Sequence, residues 1–319
     1  MRRAGKLAGL VCVLLACAGM SANAADKYVV SFHECYGDTQ FMAIHGRLLE
    51  MRAQERYSTD DGKLQNLAKS ARTLRNPAIA EYATTVDLAS LRWPIKTDGE
   101  GYFSYLRATP PDLSPGWHAL SVPDARVAAH ARLLIVPSAN TVGLISDIDD
   151  TVVESEVLDK KKLLKNTYLK NPAQRKAVPG VAGFYKTLAQ KNPQPESAPI
   201  FYLSASPSQL HERIQGFLDI NGFPAGVLIT KKLNRDKNAD PWLDQVEYKT
   251  AQIERILLRL PHVRFVLIGD DGEKDPEIYN DIATRFPSRI DSVYIRKVNP
   301  DAKRTTYAQQ RDLAQALRE

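Results

Sequence analysis

Five short strand-like runs recur along the chain, at residues 142–147, 199–204, 226–230, 263–269 and 290–296, and the first, second and fourth are apolar stretches that give way to polar residues at their ends. Apolar runs of this length, rich in β-branched and aromatic residues, predict buried strands. Between them lie longer stretches with helical spacing, which predict helices over 180–190, 207–220, 248–260 and 276–286. Alternating strands and helices predict an α/β domain over 141–304, a Rossmann-like parallel sheet with helices on both faces. The polar strand ends should then meet at its carboxyl edge.

The first half patterns differently. Short strands are expected over 27–33, 101–108, 116–122 and 131–137, joined by turn-rich stretches such as Thr97-Asp-Gly-Glu-Gly101. This predicts a small β-sandwich over 25–140, interrupted by a helical excursion at 62–82. Residues 305–319 are expected to dock as a C-terminal helix. No internal repeat is present.

The richest chemistry lies where the first apolar run ends, in Ser146-Asp147-Ile-Asp149-Asp150-Thr151. Carboxylates at a buried strand end are costly to desolvate and repel one another. A divalent cation removes both problems, and aspartate oxygens suit magnesium. In extended chain Asp147 and Asp149 face one centre while Asp150 faces away. Two such carboxylates can divide the work of nucleophile and general acid/base. The competing reading is a solvated acidic turn that caps a helix.

Three further pieces follow. In Phe201-Tyr-Leu-Ser204-Ala-Ser206-Pro207, Pro207 suits a first helical position and Ser206 an N-cap, which leaves Ser204 at the strand end to donate to an anion. Lys249 stands near the start of the third helix, where a solvated face is the ordinary role, and Lys231 and Lys232 are rivals by position. In Ile268-Gly269-Asp270-Asp271-Gly272-Glu273-Lys274-Asp275-Pro276, the glycines allow a sharp turn toward a ligand. Asp275 before Pro276 suits an N-cap, and Asp270 has no such structural duty.

DxDxT, a strand-end serine, a lysine and GDxxxxD, in that order, resemble the four motifs of the haloacid-dehalogenase superfamily of phosphotransferases. SDIDDT, FYLSASP and LIGDDGEKDPEIY resemble more narrowly the catalytic domain of the actin-patch-associated phosphatidate phosphatase family and its bacterial relatives, over about 142–298. The resemblance implies Asp147 as nucleophile and Asp149 as general acid/base, with Ser204 and Lys249 on the phosphoryl oxygens. It further implies Mg2+ held by Asp147, Asp149 and Asp270, with Thr151, Asp271 and Asp275 in support. Relatives carry a similar β-domain before the phosphatase. The function implied is a magnesium-dependent phosphatase working through an aspartyl-phosphate, on phosphatidate or a related lipid phosphate. A soluble phosphomonoester is the alternative substrate, and a non-catalytic lipid- or protein-binding module the alternative class. No GxSxG elbow surrounds Ser204, which weighs against a serine hydrolase.

Composition refines this picture. Hydrophobic residues make up 44% of 319, ordinary for a globular protein with a core, and the length suits two domains. Residues 1–24 have the form of a secretory signal: Arg2, Arg3 and Lys6, an apolar stretch, then Ala22-Asn23-Ala24. A periplasmic or secreted protein is expected, with Cys17 as the lipidated residue of a lipoprotein in the alternative reading. Without those three charges the 43 basic residues fall to 40 against 37 acidic, or +3, which does not mark a nucleic-acid binder. Cleavage after Ala24 would leave only Cys35 of three cysteines, expected as a buried small side chain. Six histidines show no zinc-ligand spacing. The insert at 152–177 is too small for a large cap, which would leave the site open to a bulky or membrane-borne substrate. Its basic stretch at 160–165 is either a solvated helix face or a contact for anionic lipid.

Overall fold

The computed structural model describes residues 27–51, 59–74, 77–127, 130–154, 171–232, 245–299, 301 and 304–318. The signal-like segment with Cys17, and the basic stretch at 160–165, lie outside the described residues.

The first domain contains β1 (Tyr28–Gly37), β2 (Phe41–Glu50), α1 (Lys63–Leu74), β3 (Ala83–Leu88), β4 (Leu91–Lys96), β5 (Tyr102–Ala108), β6 (Gly116–Ser121), β7 (Ala125–Val127) and β8 (Arg132–Ile135). Its strands join in one sheet, ordered β4-β3-β6-β8-β1-β2-β5, with β7 on β1. That differs from the two facing sheets of the expected sandwich. Strand twist accumulates across the sheet, and its two ends come together where Trp93 of β4 stacks on Tyr105 of β5 at 5.3 Å between centroids. The result is a near-barrel around Val30, Phe32, Met42, Ile44, Phe103 and Leu133. Strands β2, β3, β4 and β7 were not foreseen. In β2, eight consecutive residues from Met42 to Leu49 are buried or nearly so, which leaves no alternation to detect.

The second domain contains β9 (Val142–Asp147), α2 (Val181–Ala189), β10 (Ile200–Pro207), α3 (His211–Ile220), β11 (Val227–Lys231), α4 (Gln245–Arg259), β12 (Arg264–Asp270), α5 (Asp275–Arg285), β13 (Ile290–Arg296), β14 (Gln310–Asp312) and α6 (Leu313–Ala316). The sheet order is β11-β10-β9-β12-β13-β14, parallel throughout. Alternate residues of each strand enter opposite layers. Leu144, Tyr202 and Val266 pack under α2, α3 and α6, while Ile145, Phe201, Leu203 and Leu267 pack under α4 and α5.

Two expectations are corrected here. The C-terminal segment is not one helix: Gln310–Asp312 adds an edge strand to β13 before the four-residue α6. Three polar residues carry no strand signature, and their pairing alone makes the strand. Nor does a helix start at Pro207. Strand β10 runs through Pro207, and a 3-10 turn over Ser208–Leu210 precedes α3, so Ser206 is not an N-cap.

The domains share a core. Glu34 adopts φ 54°, and the β1–β2 register shifts between His33 and Tyr36. Across this bulge Cys35 joins the barrel interior while Tyr36 joins the α4/α5 layer of the second domain. The Tyr36 ring meets Phe201 edge-on at 4.8 Å, and Leu134 and Val136 extend the same cluster.

Candidate active site

Strands β10, β9 and β12 are adjacent and parallel, and the buried interior of each is apolar up to the polar residues at its carboxyl end. The fold therefore gathers Asp147, Ser204 and Asp270 at one edge. Asp147 is 3% exposed, and Asp270 and Asp275 are fully buried.

Lys249 comes from the inner face of α4 and is 1% exposed, not on the solvated face where a helical lysine ordinarily sits. Its Nζ donates to Asp147 Oδ1 at 2.7 Å and to Asp275 Oδ1 at 2.6 Å. The rival Lys231 is also buried, with its ammonium 5.4 Å from the Tyr248 ring centre.

Asp275 opens α5, yet Lys274 holds the N-cap position and no side-chain cap forms. The expected N-cap role is thus corrected: the Asp275 carboxylate turns inward to Lys249, and its Oδ2 accepts from the Asp270 backbone N–H at 3.4 Å. Gly269 makes this approach feasible. A Cβ there would lie 2.5 Å from Asp275 Oδ2 and 2.7 Å from Tyr279 Cε2. Neither Gly269 nor Gly272 has positive φ, so close approach rather than a left-handed turn is what requires glycine at 269.

Asp270 Oδ1 accepts from the Gly272 N–H at 2.7 Å, and its Oδ2 from the buried Thr151 hydroxyl at 3.4 Å. Asp271 faces away: its Oδ1 accepts from the N–H groups of Val298 and Asn299 at 2.6 and 2.7 Å, fastening the segment after β13. Ser204 is buried, and its Oγ accepts from the Ser206 N–H at 3.0 Å. Asp149 is more open. Its Oδ1 receives Arg175 Nη2 at 3.1 Å and its Oδ2 receives Ser206 Oγ at 3.4 Å. Asp150 has φ 61°, and its carbonyl accepts from Arg296 at 2.5 Å. Sequence reasoning missed Arg175 and Ser206 as partners of Asp149. Neither lies in a motif position that announces the contact.

Burial, and then the neighbouring carboxylates, push the Asp147 and Asp270 carboxyls well above the ordinary range, against the opposing pull of Lys249. Burial disfavours the charge on Lys249, but Asp147 and Asp275 outweigh it and hold its pKa well above the usual lysine value. One ammonium thus faces three buried carboxylates. Asp147, Asp270 and Asp275 each offer an oxygen within 4.8 Å of the others. Among the described residues, Asp147 Oδ2 is buried with no hydrogen-bond partner. The excess negative charge, the all-oxygen donor set and the orphaned oxygen fit a hard divalent cation. In this group Asp275 takes the place expected for Asp149.

Residues 142–297 match the family described as "Phosphatidate phosphatase APP1, catalytic domain". The chain is 33% identical over 156 residues to phosphatidate phosphatase APP1 of Saccharomyces cerevisiae, covering 49% of this chain and 26% of that protein. It is 28% identical over 178 residues to an uncharacterized protein of Schizosaccharomyces pombe, covering 56% of this chain and 29% of that protein. The matches therefore span under a third of either relative. Among solved structures, the HAD domain of effector protein Lem4 from Legionella pneumophila aligns with TM-score 0.32 and 14% identity, covering 51% of this chain and 90% of that one.

Proposed function

We propose, for a chain whose residues 142–297 match the phosphatidate phosphatase APP1 catalytic-domain family, that it hydrolyses a phosphate monoester, with a lipid phosphate such as phosphatidate as substrate. The observation that carries this reading is the convergence of Asp147, Asp270, Asp275 and Lys249 at the carboxyl edge of a parallel sheet.

Asp147 is the nucleophile in this reading. It attacks phosphorus in line, and the ester P–O bond breaks as an aspartyl-phosphate forms. Asp149 gives its proton to the departing oxygen, then takes one from the water that hydrolyses the intermediate. Asp149 suits this role because it is the open carboxyl of the motif, with one oxygen turned to Ser206. Lys249, fixed by Asp147 and Asp275, and the Ser204 hydroxyl lie where they can hold phosphoryl oxygens. Mg2+ held by Asp147, Asp270 and Asp275 would neutralise charge on the phosphoryl group. The signal-like residues 1–24 support action outside the cytoplasm.

The test is magnesium-dependent phosphate release from short-chain phosphatidate and from a soluble aryl phosphate, with Asp147→Asn alongside. Release from phosphatidate that vanishes in the folded mutant is expected. Release from the aryl ester alone would keep the chemistry and discard the lipid. Release from neither, or full activity in Asp147→Asn, would overturn the reading.

A further inference from the structure

Arg175 reaches Asp149 through a set of contacts that begins in the other domain. Asp149 pairs in bridge fashion with Val153, and Val153 with Ala177, while the Glu154 N–H donates to the Lys176 carbonyl at 2.8 Å and the Val178 N–H to the Val152 carbonyl at 3.0 Å. This pairing brings the end of the second-domain loop at 171–178 alongside the motif. Arg175 follows the 3-10 turn Pro172–Gln174, and its guanidinium lies over Phe217 at 5.9 Å with one nitrogen on Asp149 Oδ1.

The turn itself is fastened from the first domain. Gln174 Oε1 accepts from Asn66 of α1 at 2.8 Å, and Gln174 Nε2 donates to the carbonyls of Thr59 and Asp61 at 2.7 and 2.9 Å. The Asn171 side chain caps the turn through the Ala173 N–H at 3.0 Å and donates to Asp61 Oδ2 at 3.0 Å. Lys69 of α1 pairs with the same Asp61 oxygen at 2.8 Å. A buried polar group left unpaired is costly. The satisfied, fully buried amide of Asn171, with its Asp61 partner more than a hundred residues away, therefore defines the turn's position as well as stabilising it.

We propose that Arg175 is a positioning residue for Asp149, and that α1 of the first domain, together with Thr59 and Asp61 just before it, sets its position through Asn171 and Gln174. The proposal rests on the assignment of Asp149 as general acid/base. Arg175 holds Oδ1 and Ser206 approaches Oδ2. The carboxyl plane is thereby fixed, and the oxygen not taken by the guanidinium is left for proton transfer. Such orientation counts because general acid catalysis depends on heavy-atom placement within hydrogen-bond reach.

The experiment measures kcat and KM of the full chain with magnesium on substituted phenyl phosphates of graded leaving-group pKa, for wild type, Asp149→Asn, Arg175→Met, Arg175→Lys and Gln174→Ala. Thermal unfolding checks that each variant is folded. Good leaving groups need little protonation, so Asp149→Asn should steepen the dependence of kcat on leaving-group pKa. Arg175→Met should steepen it in the same sense, losing about tenfold on the poorest leaving group and little on the best. Arg175→Lys should recover part of the loss, and Gln174→Ala should show a smaller steepening. Arg175→Met added to Asp149→Asn should steepen it no further.

Wild-type inactivity on every ester, or an unchanged slope in Asp149→Asn, would remove the parent assignment and this proposal with it. A steepened slope in Asp149→Asn with equal loss across the series in Arg175→Met would overturn only the positioning role. So would a faster reaction of poor leaving groups. A wild-type slope in folded Gln174→Ala would overturn the part given to the first domain.

Discussion

Lys249 Nζ lies 2.7 Å from Asp147 Oδ1, and both side chains are almost wholly removed from water. The strand-end carboxylate and the helix-borne ammonium are 102 residues apart, so this contact ties α4 to the carboxyl edge of the sheet. Asp275 completes the pair on the other side of the ammonium at 2.6 Å.

Removing that ammonium leaves three buried carboxylates uncompensated. Lys249→Met should lower stability by about 3–5 kcal/mol in the presence of a chelator. Magnesium should restore part of it, because a ligand that binds only the folded state stabilises by mass action. Denaturant unfolding with and without magnesium checks both parts. An unchanged midpoint in chelator would deny Lys249 its compensating role.

Gly269→Ala should cost about 1–3 kcal/mol through overpacking, since the new methyl would meet the Asp275 carboxylate and the Tyr279 ring. Displacement of Asp275 should also weaken magnesium binding, read by calorimetry on the folded variant. Unaltered stability and metal affinity together would mean that the Asp275 approach can relax freely.

Tyr36 belongs by sequence to the barrel and by packing to the α4/α5 layer of the second domain. Tyr36→Ala should destabilise by about 3–5 kcal/mol, the usual range for loss of a buried aromatic side chain. Wild type should unfold in one transition by fluorescence and circular dichroism, because the two domains share one core. Two separate wild-type transitions would show that the shared cluster does not couple them.

Glu277, in the first turn of α5, accepts from Arg304 Nη1 and Nη2 at 2.6 and 2.8 Å. This bond to Arg304 draws its carboxyl from an ordinary 4.5 down to about 2. A lowered folded-state value means that the contribution to stability is present above the unfolded value and is lost as pH falls through the folded one. Glu277→Gln should therefore unfold at a lower temperature than wild type near pH 6, with the gap closing between pH 4.5 and 2. A gap that stays constant over that range would exclude a charged Glu277–Arg304 pair as its source.

The strand ends made much of the site legible before any coordinate. Asp147 and Asp270 stand where apolar runs stop, and a carboxylate there needs a partner. Strands β9 and β13 have the expected bounds: β9 is an apolar run buried almost throughout, and β13 alternates buried Ile290, Val293 and Ile295 with polar or half-buried positions. Strands β2 and β14 were not visible. One is buried along nearly its whole length and the other is polar, so each is defined by pairing and not by its own composition.

Sequence alone determined the order of β9 to β13 and of the helices between them, and the residue types gathered at the carboxyl edge, since hydrophobic periodicity and motif spacing are local properties. Tertiary structure decided that Lys249 is buried, that Asp275 turns inward rather than capping its helix, and that Arg175 stands beside Asp149. It also decided that the first domain's sheet closes on itself and lends Tyr36 to the second domain's core. Each of these depends on distances between segments far apart in the chain, set by sheet pairing and by desolvation of the groups that meet, and no stretch of residues carries that information by itself.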